Sequence, residues 1–276
     1  MTQYKIKTAI IDLYNNERNE GMRCLKEIIS ESNKRFENVT IYYDVFDARY
    51  RGEIPDLSYD IYISSGGPGD PFDGEGTKWE SDYFDLLDKI QTNNQNISNR
   101  KKYVFFICHS FQLMSRYFKF AEVTPRPKRS FGILPIQRTE SGSIDPILKQ
   151  LSNPFYAADF RQFQVVNPNL ERLKELNASI LAMEILPDNE KITPALMAVR
   201  ISDEIVGTQF HPEADPESMM YHFKQPERKK QVTERYGEAM YYVMISHIEQ
   251  PEKIKLTRKT VLPSFIDNAI QSLIVR

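Results

Sequence analysis

Apolar residues recur along the chain with two different periods. Lys7 to Leu13 is a short apolar run closed by Tyr14-Asn15-Asn16, the pattern of a buried strand. Gly21 to Ser32 instead spaces Met22, Leu25, Ile28 and Ile29 three and four apart, which predicts a helix with one inward face. Val39 to Phe46 is β-branched and aromatic and reads as a second strand. Asp60 to Ser64 reads as a third, running into the turn-rich Ser65-Gly66-Gly67-Pro68-Gly69-Asp70-Pro71. Tyr83 to Ile90 predicts a helix with Phe84, Leu86 and Leu87 inward. Lys102 to Ile107 is a fourth strand, and Ser110 to Phe118 a helix directly after it. Strands alternating with helices build a mostly parallel sheet covered on both faces, so the expected class is α/β.

The middle of the chain is less regular. Phe131 to Val166 predicts antiparallel strands and a short helix. Ser179 to Glu184, Ala195 to Arg200 and Ile205 to Phe210 read as strands, the last two a hairpin across Ile201 to Glu204. From Pro216 the period becomes helical: Glu227 to Ile248 has long periodic stretches and no Pro, and Pro263 to Val275 predicts a terminal helix after the break at Pro251. The expected organisation is one α/β domain over residues 1–215. A helical extension, residues 216–276, would pack on it, because its apolar residues need a partner surface.

Charge narrows the function. Thirty-six Lys and Arg against 38 Asp and Glu leave a net charge of −2, whereas a nucleic-acid binder carries a strong basic excess. Two cysteines, Cys24 and Cys108, are too few for a disulfide framework, and four scattered histidines give no zinc site. A reducing cytoplasm fits this usage. The N-terminal apolar run, Thr8 to Leu13, is broken by Asp12 and is short for a secretory signal. No stretch reaches the roughly 20 apolar residues that span a bilayer, so no membrane partner is expected.

Three places carry candidate chemistry. Cys108 sits where an apolar strand ends and a helix begins. In an open α/β sheet, ligands bind beyond the carboxyl ends of strands. A nucleophile on such a turn stands above the sheet, and the free N–H groups of the next helix favour a thiolate. The same position also suits a buried structural cysteine. In Gln209-Phe210-His211-Pro212-Glu213, extended chain puts His211 and Glu213 on one side, and Pro212 stiffens the pair. A carboxylate that orients one imidazole nitrogen leaves the other free to take a thiol proton, although a lone histidine at a strand end also serves as a polar terminator. Gly66 and Gly67 let backbone N–H groups approach a ligand and stabilise an oxyanion, or simply make a tight turn. No Gly-Lys-Ser/Thr follows, so the loop is not a phosphate loop.

Taken in order, these three motifs resemble the class I glutamine amidotransferase family, in particular the glutaminase chain of two-chain guanylate synthetases. The resemblance covers about residues 4–215. Ser65 to Pro71 is similar to the family's oxyanion loop, Phe105 to Met114 to its nucleophile elbow G-x-C-x-G-x-Q, and Gly207 to Glu213 to its G-x-Q-F-H-P-E. The last is the most specific piece. The intracellular-protease branch of the superfamily also has Cys-His after a strand but lacks the distant His-Pro-Glu.

The resemblance implies a Rossmann-like three-layer sandwich and a reaction. Cys108 attacks the side-chain amide of L-glutamine, His211 moves the proton and Glu213 orients it. The N–H groups of Gly67 and His109, with Gly66 beside them, hold the oxyanion. Gln112 shapes the glutamine pocket, and Arg161 to Val166, with Phe163 and Gln164, falls at its glutamine-binding strand. No cofactor and no metal are implied. Residues 214–276 are too short for a nucleotide-activating domain, so ammonia would pass to a partner synthetase subunit or be released. Two elbow glycines are replaced by Phe106 and Ser110, and Phe106 is expected to conflict sterically with the usual turn. These departures keep two rivals open: a γ-glutamyl hydrolase with the same triad, and a non-catalytic member that binds a partner through the extension. The basic run Arg228-Lys229-Lys230 reads as a solvated helix face, and Tyr221, His222 and His247 as surface or packing residues.

Overall fold

A computed structural model describes residues 3–186 and 192–275. The chain runs β1 (Tyr4–Asp12), α1 (Gly21–Asn33), β2 (Val39–Asp47), β3 (Ile61–Ser64), α2 (Lys78–Gln95), β4 (Tyr103–Ile107) and α3 (His109–Phe118). It continues through β5 (Glu122–Arg138), α4 (Glu140–Ile144), β6 (Phe155–Val166), α5 (Leu170–Glu175), β7 (Ser179–Glu184), β8 (Leu196–Arg200) and β9 (Ile205–Thr208). Helices α6 (Pro216–Phe223), α7 (Pro226–Tyr236), α8 (Glu238–Glu249) and α9 (Leu256–Ile274) complete the described residues.

The nine strands form one mixed sheet in the order β2-β1-β3-β4-β9-β8-β7-β5-β6. The five strands from β2 to β9 are parallel, as the strand–helix alternation predicts. The other four pair antiparallel, and β8 and β9 form the expected hairpin. Strand β4 lies inside the sheet between β3 and β9 and is buried on both faces. Its odd residues Tyr103, Phe105 and Ile107 enter one core with α1 and α9, and Val104 and Phe106 enter the other with α2 and α3. That is a three-layer sandwich, and it explains why the strand reads as a continuous apolar run.

Helix α9 starts earlier than the terminal helix expected over Pro263 to Val275. It begins at Leu256, so Pro263 lies inside it. Proline removes one ladder bond. The buried side chains on either side of it, Val261, Leu262, Phe265 and Ile266, hold the helix against the sheet. The Phe265 ring meets Tyr103 at 6.4 Å and Phe105 at 5.1 Å between centroids. One outer layer is therefore made by the far end of the chain. The periodic segment Glu227 to Ile248 forms two helices, because Gly237 takes φ 84° between α7 and α8.

Helices α6, α7 and α8 gather a third cluster. Met219, Phe223, Val232, Tyr241, Met244 and Ile248 pack on Phe131 and Ile133 of β5 and Ala158 of β6. The extension thus covers the antiparallel end of the sheet beside the carboxyl ends of the parallel strands, where the site lies.

Replacing Phe265 by Ala should destabilise the fold by about 3–5 kcal/mol, the usual cost of deleting a buried aromatic ring. Denaturant melts of the full chain measure it. A change under about 1 kcal/mol would mean that α9 is peripheral to the core.

Candidate active site

Strand β4 stops at Ile107 and α3 starts at His109, so Cys108 alone makes the turn, with φ 50° and ψ −99°. A side chain at positive φ is strained and persists only when its surroundings over-determine it. Here they do. The Cys108 N–H donates to Thr208 O at 2.8 Å, and Cys108 O accepts from the Gln112 N–H at 3.1 Å. Ser110, in a glycine position of the related elbow, works as a clamp: its hydroxyl accepts from the Ile107 N–H and donates to Ser64 O, both at 2.7 Å. The elbow is thereby tied to the end of β3 and to the glycine loop that follows it.

Phe106 does not meet the expected conflict. Its side chain is fully buried in the α2/α3 core, and its partner across β9 is Gly207. A Cβ on Gly207 would lie 3.0 Å from the Phe106 Cβ and 2.8 Å from the Phe111 ring. The bare glycine leaves the space that these rings fill.

His211 is carried to the same place by β9 and by a bridge to β6, its N–H donating to Ala158 O at 2.8 Å. Its Nδ1 lies 2.8 Å from Glu213 Oε1, so the two side chains do face each other. Burial works against charging the ring, but the Glu213 carboxylate and the neighbouring Cys108 outweigh it and hold the imidazole pKa well above its ordinary value. The Cys108 thiol donates to Phe160 O at 3.5 Å and accepts from Gln209 Nε2 at 3.6 Å. Cys24, by contrast, is a buried thiol of α1 pushed up to about 12, first by burial and then by Asp215 and Glu213.

The glycine loop comes close because it has no side chains to keep it away. A Cβ on Gly67 would meet Leu13 O at 2.3 Å, and one on Gly66 would meet the His211 ring at 2.7 Å. Arg49 pins the loop by donating to Leu13 O and to Pro68 O at 3.2 and 2.6 Å. Gly67, Cys108, His109, Gln112, Phe163 and His211 all line one cleft of about 260 Å³. Gly66 lies beneath it and makes room for the histidine ring. Gln112 Nε2 donates to Phe163 O at 3.2 Å and to Gln209 Oε1 at 3.3 Å, which ties α3 to β6. The His109 side chain is buried; burial, helped by Arg49 and Arg116, lowers its pKa to about 3, so the ring is neutral.

Gln164 is a correction. It does not line the cleft; its amide oxygen accepts instead from Arg126 at 2.7 Å. Arg126, Glu184, Arg161 and Asp159 form a buried ionic cluster there, with Ser130 on Asp159. Arg161 reaches the cleft from this cluster.

Several lining residues were not anticipated. Tyr14, two residues past β1, borders the cleft, and burial with the nearby Glu213 and Cys108 raises its pKa well above the ordinary value. His222 borders it too, with its pKa lowered by burial, Arg228 and His211. Arg228 is not on a solvated face: its guanidinium lies over the Phe131 ring at 5.5 Å and turns into the cleft. No sequence pattern marks these three, since each arrives from an element distant in the chain. Among the described residues, no group of three or more His, Cys, Asp or Glu is placed to hold a metal ion. No described helix is long and apolar enough to cross a membrane.

Comparison with known proteins agrees with the fold. A family model described as glutamine amidotransferase class-I matches residues 23–225. Among solved structures, a glutamine amidotransferase from Thermotoga maritima superposes with a TM-score of 0.67 at 14% identity, covering 96% of this chain and 98% of that one. A glutamine amido transferase from Methylobacillus flagellatus gives 0.65 at 13% identity, over 98% and 96%. The glutaminase domain of a Trypanosoma brucei CTPS, solved with acivicin, gives 0.54 at 14% identity, over 75% and 86%. At such identities these likenesses speak for the fold alone. A search of curated proteins finds no match. The family match spans most of the chain, including β4, the Cys108 turn and the His-Pro-Glu strand end, and the chain belongs to the class I glutamine amidotransferase family.

Proposed function

We propose that the protein hydrolyses the side-chain amide of glutamine through Cys108, His211 and Glu213. The observation that carries the reading is a strained cysteine elbow and a His–Glu pair meeting over one glycine loop in one cleft. In this reading the Cys108 sulfur attacks the amide carbon while His211 takes the thiol proton. The oxyanion sits against the N–H groups of Gly67 and His109, donors set by the loop and by the first turn of α3. Collapse breaks the C–N bond, and His211 returns the proton to the departing ammonia. A γ-glutamyl thioester remains. Water, activated by His211, hydrolyses it to glutamate and frees the thiol.

Glu213 holds one ring nitrogen so that the other faces the sulfur. The ammonia passes to a partner synthetase subunit or another acceptor. Residues 1–215 carry the chemistry, and 216–276 form the extension whose helices α6 and α7 wall the cleft. The non-catalytic reading loses its main motive, because Phe106 has a built space and Ser110 adds bonds to the elbow. The hydrolase reading keeps one observation in its favour: the cleft continues past His211 to Arg228.

Release of ammonia and glutamate from glutamine, followed with purified full-length protein, tests the proposal. Cys108→Ser should abolish turnover, and His211→Ala should lower kcat/KM by about 10²- to 10⁴-fold, the usual worth of a general acid–base. Equal rates in wild type and Cys108→Ser would refute it.

Titration supplies a second test. A histidine whose folded pKa is raised contributes stability that is fully present below its unfolded value of about 6.5 and is lost as pH rises through the folded value. Glu213→Gln removes the carboxylate that raises His211, so the ring should titrate at lower pH, as followed by NMR. The loss in Tm that this substitution causes should be largest near pH 6 and should shrink as pH rises. A His211 titration unmoved by Glu213→Gln would break the pairing.

A further inference from the structure

Away from the cleft, helices α7 and α8 leave a cavity of about 400 Å³ over the antiparallel end of the sheet. Met244 seats α8 on β5 because Gly132 is bare: a Cβ there would lie 2.6 Å from the Met244 sulfur. The walls are apolar, from Ile133 and Leu134 of β5, Met197 of β8, Tyr236 of α7, and Val243 and Met244 of α8. At the mouth, Ile185, Met240 and Val243 are 38%, 40% and 42% exposed. Apolar side chains gathered around one opening hold water that a fitting molecule would displace. Among the described residues, the cavity and the Cys108 cleft share no lining residue.

The floor is ionic and incompletely satisfied. Arg126 donates to the two carboxylate oxygens of Glu184 at 3.0 and 2.6 Å. Asp159 Oδ2 accepts from Ser130 at 2.7 Å and from Arg161 at 3.0 Å. Two guanidinium groups thereby balance two carboxylates. Arg126 Nε and Asp159 Oδ1 are left over: both are buried, neither has a hydrogen-bond partner among the described residues, and both residues line the cavity. Buried polar atoms are nearly always paired in folded proteins, so these two call for a partner. The charged and titratable groups on the walls are engaged already. Arg235 donates to Arg129 O and lies over the Tyr236 ring at 4.9 Å, and His247 meets the Tyr156 ring edge-on at 4.9 Å.

A spare donor and a spare acceptor of opposite charge select the head of a ligand. A carboxylate would satisfy Arg126 but face Asp159, and an ammonium would do the reverse. A carboxamide accepts through its carbonyl and donates through its N–H, with no charge to desolvate. The thioethers of Met197, Met240 and Met244 and the rings of Tyr156 and Tyr236 favour an aromatic body.

We infer that this cavity binds a small aromatic carboxamide, its ring among the methionines and its amide on Arg126 and Asp159. Such binding is independent of the reaction at Cys108.

Three probes with one body and different heads test it: 3-phenylpropanamide, 3-phenylpropanoate and 3-phenylpropylamine. In full-length protein carrying ¹³C at the methionine methyls, the amide should shift Met197, Met240 and Met244. Met114, in the core beside α3, should not move. Calorimetry should give the amide an affinity about 10-fold above either charged probe, the worth of a hydrogen bond to a charged group. Excess glutamine should leave its binding unchanged. Val243→Trp and Met240→Trp, both at the exposed mouth, should each weaken amide binding by about 10-fold or more with Tm nearly unchanged. The methyl shifts locate the site in wild type even if one variant fails to fold. No methionine shift up to about 5 mM amide, equal affinities for the three heads, displacement by glutamine, or binding that survives both tryptophans would each overturn the inference.

Discussion

Everything at this site depends on one residue turning the chain from strand to helix. Cys108 has a positive φ that an L side chain resists, and the surroundings leave it no alternative. Strand β4 is locked on both faces by apolar packing, its end is bonded to β9, and Ser110 ties the turn to the end of β3. The strain, of order 1–3 kcal/mol, is spread over a core that can bear it. In return the sulfur stands above the sheet beside donors that need no rearrangement. The same rigidity fixes the glycine loop: Gly67 must touch Leu13 O and Gly66 must pass under the His211 ring, and any Cβ would push them apart. Cysteine turn, loop and histidine are thus three consequences of how closely β1, β3, β4 and β9 end together.

The last helices serve this centre in two ways. Helix α9 is a structural layer, closing the sandwich over Phe105 and its neighbours. Helices α6 and α7 reach the cleft, bringing His222 and Arg228 to a site whose other walls come from much earlier in the chain. Electrostatics follows from that placement. Burial and nearby guanidinium groups lower the pKa of His222 and His109, whereas Glu213 raises that of His211 against the effect of burial. Three histidines within one small region thereby acquire different tasks from different neighbours, and only one of them has a carboxylate at 2.8 Å.

Much of this was legible in the residues. The alternation of strands and helices, the hairpin after Arg200 and the motif from Gly207 to Glu213 each rest on local pattern, and local pattern survives folding. What was not legible depends on distant packing. Pro263 departs from the role that local rules assign it: it sits inside a helix braced by the sheet. Phe106 looked like an obstacle because its relief, Gly207, is a hundred residues away in sequence and adjacent in the sheet. Gln164 and Phe163 are neighbours on β6, yet Phe163 lines the cleft while Gln164 is held by Arg126, a partner that no local pattern announces. Arg228 read as one of three solvated cations, since nothing in a basic run says which member a ring such as Phe131 will hold.

The central claim is that Cys108 is the nucleophile of a pocket built for a γ-glutamyl group. Intact mass after exposure to a diazo-ketone analogue of glutamine, for wild type and for Cys108→Ser, tests it most directly. The account predicts a single covalent addition, on wild type only, that excess glutamine prevents. No addition to wild type, while a general thiol reagent still reaches Cys108, would contradict it.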